Sequence, residues 1–363
     1  MLTALDWLSA GVGLFLIWLC LRDVFQSVIV PRAVDRRLRI SAFLSGQLWR
    51  VWRRRAGSIQ DDDRREDFLG AFAPSLLVIL FASWAFTLIF GYGLIFVALR
   101  DQLNPPATFW KALYFAGTSF LTIGFGDVVG STGIARLVSI AAGASGLAVV
   151  AVVTAFLFSV FAAFQRREVF VVNVSAHSGA PPSGIGLLTT YGEGQMIEEL
   201  SSLFAAGQQW AAEVMESHLA YPVLAFFRSS HDYESWVGAL GTLLDASALI
   251  LSATEGNAAR GQAQVMYELG RHLTHDFARY FRLRLRDGPG IERFEFSGAL
   301  ARLEQVGFPI RDEDTAWRKF AAVRGTYAPA LAAMASFWNI PPLQWIGDRS
   351  SIVEQHLQAA AVR

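Results

Sequence analysis

The sequence predicts an α-helical membrane protein followed by a mostly α cytoplasmic domain. Two observations carry that prediction. Hydrophobic residues make up 53% of the 363 and charged residues 17%, a balance too apolar for an ordinary water-soluble chain of this length. The apolar residues are also segregated, so that the first half reads as membrane and the second does not. The formal net charge is +0, so no general affinity for polyanions follows and no nucleic-acid partner is expected. A single cysteine, Cys20, excludes an intramolecular disulfide framework and a Cys-rich metal site.

Three apolar stretches, residues 5–30, 68–99 and 134–164, are each long enough to cross a bilayer, which takes about 20 residues. The first has no basic head, carries Asp6 early and is followed by Pro31-Arg32 instead of a small-residue cleavage site. It therefore reads as a retained N-terminal span over residues 1–31 and not as a signal peptide. Asp23 and Gln26 near its end are expected to face protein or the interface, because polar groups in lipid are costly.

Residues 32–67 form a basic loop. Arg32, Arg36, Arg37, Arg39, Arg50, Arg53, Arg54 and Arg55 stand there against Asp35 in its first part. Basic loops stay in the cytoplasm, which places the N-terminus outside and residues 165–363 inside a cell membrane, by expectation a bacterial inner membrane. Arg166 and Arg167, after the third span, agree with that orientation. Leu38, Leu44, Leu48, Val51 and Trp52 recur at near-helical spacing. They suit a helix lying in the interface with tryptophan at headgroup depth; alternatively, the arginines only set topology. These arginines lie outside any apolar span, so they do not form a voltage sensor.

Between the second and third spans the chain reads TIGFGD at residues 122–127, after Pro105-Pro106 and an amphipathic half-helix over residues 109–120. The segment is too short and too interrupted to span. Non-helical backbone at membrane depth is tolerated only inside protein or along a wet cavity. Gly124 and Gly126 permit the positive φ values that turn successive carbonyls toward one axis. The carbonyls of Thr122, Ile123, Gly124 and Phe125, with the Thr122 hydroxyl, then form stacked oxygen cages that replace a cation's water shell. Ile123 and Phe125 pack behind them. Asp127 stands at the outer mouth, and the negative end of the half-helix dipole faces inward.

These residues, with a span on each side, resemble the pore module of potassium channels over residues 68–164. The hexapeptide is similar to that family's T-V-G-Y-G-D, with Ile123 for Val and Phe125 for Tyr. The resemblance implies a tetrameric pore-loop domain set in membrane lipid, with K⁺ as the ion in the filter and no organic cofactor. One filter segment per chain implies a homotetramer. It also implies filter-support roles for Tyr114, Phe115 and Thr118: Tyr114 reaching Asp127, Phe115 in aromatic contact with Phe125, and Thr118 where many members carry glutamate. Leu121 stands where threonine is frequent, and GDVVGST lacks the usual proline. In the third span Gly146 matches the hinge glycine, and Gly143 lies nearby. Gly146 is either that hinge or a small residue that admits close helix packing. Leu147, Val150, Thr154 and Phe158 are expected to line the inner cavity, with Phe158 at the gate.

Residues 165–363 are expected to form a regulatory or assembly domain. A short β-like run over residues 168–175 leads to a turn-rich stretch, AHSGAPPSGIG. Helical patterns then cover residues 195–204, 210–227, 236–252, 258–285 and 315–338. GIGLLT lacks the third glycine of a dinucleotide-binding turn, and the strand run of a cyclic-nucleotide domain is not seen. Glu268, His272 and His275 fall at i, i+4 and i+7, with Asp276 beside them. That spacing suits a divalent metal or, the commoner case, histidines solvated or hydrogen-bonded at a helix surface; His218 and His231-Asp232 lie elsewhere. Asp245 sits in an apolar run and needs a partner, for which Arg271 is the candidate. No nucleophile and base stand together, so no enzyme is expected. The sequence favours a potassium-selective channel gated or assembled by its C-terminal domain. The alternatives are a poorly selective cation channel and a membrane-anchored sensor with little flux. A cytoplasmic ligand is not specified.

Overall fold

The computed structural model describes residues 3–29, 40–179, 182–229, 234–285 and 291–340. Pro31, Arg32, Asp35, Arg36, Arg37, Leu38, Arg39, His231 and Asp232 lie outside the described residues. The chain is an α-helical membrane protein, and four of its described helices are long and apolar enough to cross a bilayer. It divides into two compact units, Met1–Ala162 with Ala220–Phe227, and Ala163–Leu219 with Arg228–Arg363.

The first unit begins with α1 (Ala4–Val24), capped by Thr3 and Asp6 in a reciprocal capping box and continued by a π-helical turn, Phe25–Ile29. Next come α2 (Ile40–Ala56), α3 (Asp62–Gly70) and α4 (Phe72–Ala98). Helix α1 lies along α4 and is pinned to it from end to end. Arg100 Nη1 donates to Asp6 at 2.5 Å, Ser9 Oγ donates to the Leu94 carbonyl at 2.9 Å, and Trp84 Nε1 donates to Asp23 at 2.7 Å. Midway, a Cβ on Gly13 would stand 2.5 Å from the Gly91 carbonyl oxygen, so two glycines let the backbones touch. Asp23 is buried and also accepts from the Ser41 hydroxyl at 3.0 Å.

Helix α2 packs on its neighbours through its tryptophans. Trp49 is buried against Phe72, with ring centroids 4.8 Å apart, and Trp52 stacks on Phe68 at 4.7 Å while donating to its carbonyl. Ser41 meets α1 at Asp23. The basic helix is therefore part of the packed bundle, because two indoles bury more apolar area against phenylalanine than an interface offers.

After α4, the two-residue strand β1 (Leu103–Asn104) precedes helix α5 (Phe109–Phe120), the expected pore helix. Strand β2 (Val129–Gly130) pairs antiparallel with β1, Leu103 opposite Gly130 and Asn104 opposite Val129. The inner helix α6 (Gly133–Ser178) runs unbroken for 46 residues, about 69 Å at 1.5 Å per residue. The β-like reading of residues 168–175 is thus corrected. Arg167, Val171, Val174, Ser175 and Ser178 are buried while Val169 and Val172 are not, a helical period that overrides the β preference of the valines.

The second unit is all α among the described residues. It adds α7 (Gly184–Glu193), α8 (Leu200–Ala220), α9 (Trp236–Ala253), α10 (Arg260–Tyr280), α11 (Arg293–Gln305), α12 (Glu313–Gly325) and α13 (Ala328–Trp338). Every residue of α9 is buried, among α7, α10, α12 and α13, so its apolarity is that of a domain core. Two helices are expected over residues 195–204 and 210–227, but one helix, α8 (Leu200–Ala220), takes in the second half of the first stretch and residues 210–220 of the second, ending before Pro222. Gly207 does not break it, because its missing Cβ admits the Leu243 and Met266 side chains. The expected single helix over residues 315–338 is two, because Pro329 starts the second and cannot continue the first.

Candidate functional site

The pore helix α5 is capped by Thr108 and ends at Leu121. Its last turn holds the start of the TIGFGD loop. The Thr118 carbonyl accepts from the amides of Ile123 at 2.9 Å and Gly124 at 3.4 Å. Three alternate residues then take positive φ: Thr122 at 57°, Gly124 at 59° and Gly126 at 80°. That alternation turns successive carbonyls toward one side instead of to opposite sides as in a strand. Glycine adopts it freely. A β-branched threonine does not, and such a residue costs roughly 1–3 kcal/mol and recurs at functional sites. No neighbouring atom lies within 4 Å of where a Cβ on Gly124 or Gly126 would stand, so backbone conformation alone demands these two glycines.

The far end of the loop is fixed by hydrogen bonds in place of the missing proline. Beyond the β1–β2 pair, the Ser131 amide and hydroxyl both donate to the Gln102 carbonyl, at 2.9 and 2.7 Å. Thr132 Oγ1 donates to Gln102 Oε1 at 2.6 Å, and Arg136 Nε donates to the Gly130 carbonyl at 2.9 Å.

The expected support residues divide. Tyr114 stands close enough to Asp127 for the two side chains to interact electrostatically. Thr118 is buried, and its hydroxyl donates to the Phe115 carbonyl at 3.1 Å. The expected contact of Phe115 with Phe125 does not form within the chain. Phe115 packs on Phe96 of α4, with centroids 4.7 Å apart, while Phe125 is 69% exposed. With no hydroxyl on Phe125 to draw it inward, Phe115 takes the nearer apolar partner.

Gly146 is a contact glycine. A Cβ there would overlap the Phe120 carbonyl oxygen, and one on Gly143 would stand 3.2 Å from the Ser119 carbonyl oxygen. Inner helix and pore helix therefore touch backbone to backbone where the filter begins. Leu147, Val150, Thr154 and Phe158 are all exposed on a single chain, and the Thr154 hydroxyl donates to its own helix at the Val150 carbonyl. Sequence reasoning missed the polar ties between these helices. Tyr92 of α4 bonds the Ser145 hydroxyl at 2.6 Å and the Ala141 carbonyl at 3.2 Å, and the Ser119 and Ser139 hydroxyls meet at 3.1 Å. Their signal was a few hydroxyl side chains inside strongly apolar spans.

The expected metal grouping in the second unit does not form. Glu268 pairs with Arg271 at 2.8 Å, His275 Nε2 bonds the Thr326 carbonyl at 2.8 Å, and His272 faces Asp276 at 3.3 Å. Among the described residues no cluster of histidine, cysteine and acidic side chains could hold a metal ion. The partner expected for Asp245 is also corrected. Arg324 Nε bonds its Oδ1 at 3.3 Å, and the Tyr327 hydroxyl bonds the same oxygen, because α12 and the turn before α13 cover α9 at that point.

Residues 76–163 match a family model described as an ion channel. That match agrees with the resemblance to the potassium-channel family over the same part of the chain. The chain is similar to an uncharacterized membrane protein, YdjJ, of Bacillus subtilis strain 168, at 25% identity over 57% of this chain and 60% of that protein. It thus spans less than two thirds of that relative's length. No solved structure matches it significantly.

Proposed function

We propose that the chain is a subunit of a potassium-selective channel in which four copies enclose one filter. The observation that carries the reading is the alternation of positive φ at Thr122, Gly124 and Gly126. A backbone held this way presents carbonyl oxygens in register, and four such strands around an axis would supply the oxygen cages of a dehydrated cation. Asp127 at the outer end would concentrate cations, and the α5 dipole would favour positive charge at its C-terminal end. Leu121, Ile123 and Phe125 are exposed apolar side chains on one chain, which neighbouring copies around the TIGFGD loop would cover. Helix α1, pinned to α4, would then lie at the periphery. Helix α6 would line the cavity down to Phe158 and carry motion of the second unit to that point, because one continuous helix belongs to both units.

A less selective cation pore is the second reading, favoured by the packing of Phe115 away from Phe125. Native mass spectrometry of the full-length protein in detergent, with K⁺ flux into liposomes, tests the proposal. Four copies with flux that Gly124→Ala abolishes would support it. A monomer or dimer, or flux indifferent to that change, would contradict it.

A further inference from the structure

The inner helix carries a guanidinium buried in the second unit, and a histidine holds it there. Arg167 has a side chain 1% exposed, and it pairs with Glu168 at 2.7 Å. Its Nη1 lies 3.2 Å from Nε2 of His218 on α8, a residue with no exposed surface. A guanidinium offers only donors, so Nε2 must present its lone pair and the ring must be neutral. Its proton then sits on Nδ1, which is 3.2 Å from the Ser217 hydroxyl. The imidazole faces Trp236 of α9 at 5.1 Å and Phe277 of α10 at 5.9 Å. Among the described residues, Arg167 and Glu168 from α6 bring charge to this contact; on α8 itself, Glu213 faces Arg166 outside it at 4.0 Å. Trp210 of α8 also stacks on Phe170 and donates to the Arg167 carbonyl at 3.2 Å, so α8 grips the cytoplasmic extension of α6 along this face.

We propose that Arg167 and His218 form a proton switch between the inner helix and α8. A proton from solvent adds to the Nε2 lone pair that now accepts from Arg167. The acceptor is lost, two positive groups face each other about 3.2 Å apart in a buried contact, and α8 releases α6. The effect of that release on current rests on the channel reading above. Burial, and then the guanidinium, hold this imidazole well below the usual histidine range, whereas a released histidine titrates near pH 6.5. Acid therefore favours the released arrangement, by on the order of 25-fold per chain between about pH 7 and about pH 5.

Amide hydrogen exchange on the full-length protein in detergent, at about pH 7 and about pH 5 with times scaled to intrinsic rates, tests the switch. In the wild type, protection over residues 163–178 and 210–219 is expected to fall at the lower pH while α9 and α10 keep theirs. In His218→Gln it should hold. Unchanged wild-type protection would overturn the proposal. So would an equal loss in α9 and α10, which is general acid unfolding, or an equal loss in the variant. Bilayer recording from the same preparation separates the two readings. Exchange that responds while no current is seen counts against the channel and leaves the switch standing. Exchange that responds beside a pH-insensitive open probability overturns the gating step.

Discussion

Gly146 of the inner helix touches the carbonyl of Phe120, the last residue of the pore helix, with no room for a Cβ between them. Helix α5 ends at Leu121, just before the TIGFGD loop, so this contact sets where Thr122 begins. Gly146→Ala forces the helices apart, at a cost of about 1–3 kcal/mol. A lower thermal midpoint in detergent and weakened filter function are expected. Gly143→Ala, whose new methyl would stand 3.2 Å from the Ser119 carbonyl oxygen, should be milder. Equal midpoints for Gly146→Ala and wild type would show that the contact yields freely.

Gly124→Ala tests backbone conformation in isolation. Nothing crowds the position, but φ is 59°, which costs an L-residue with a Cβ roughly 1–2 kcal/mol. The variant should assemble and keep its thermal midpoint within a few degrees while losing flux. Collapse of the whole protein would contradict a purely local role.

Asp23 and Trp84 lock the first helix to the outer helix. Asp23→Leu leaves the buried Trp84 N–H without its acceptor, a loss of about 1–3 kcal/mol, while the Ser41 hydroxyl keeps Ser27 as a partner at 2.8 Å. A double-mutant cycle with Trp84→Phe should show strong coupling. Additive effects would mean that the bond contributes little to the attachment of α1.

In the second unit, Asp245→Asn removes the anion that Arg324 and Tyr327 surround and should lower stability by about 3–5 kcal/mol. Arg271→Ala, which breaks only an exposed pair with Glu268, should cost about 1 kcal/mol or less. Urea unfolding of the full-length protein distinguishes them, and the reverse order would restore Arg271 as the partner of Asp245.

What could be read from the sequence follows the distance over which each feature is specified. The positive φ of Gly124 and Gly126 was legible because its demand is local: two glycines at alternate positions after a short helix. The three spans were legible from length and apolarity. The partners of Asp245 were not, because Arg324 and Tyr327 lie 79 and 82 residues away on elements whose packing only the fold decides. The same holds for Trp84, an indole in an apolar run with nothing nearby to announce Asp23. The continuation of α6 to Ser178 was hidden by its own valines, whose β preference is outweighed once the buried face of the helix is covered. The positive φ of Thr122 was not legible, since nothing about a threonine signals it.

The filter is best tested by reversal potentials of the full-length protein in planar bilayers with K⁺ on one side and Na⁺ on the other. Stacked carbonyl cages from Thr122 to Gly126 predict a reversal potential that follows the K⁺ gradient, shifting by about 59 mV per tenfold change in K⁺. A reversal potential near zero with equal total cation on the two sides would mean that K⁺ and Na⁺ pass alike, and would contradict a potassium-selective filter.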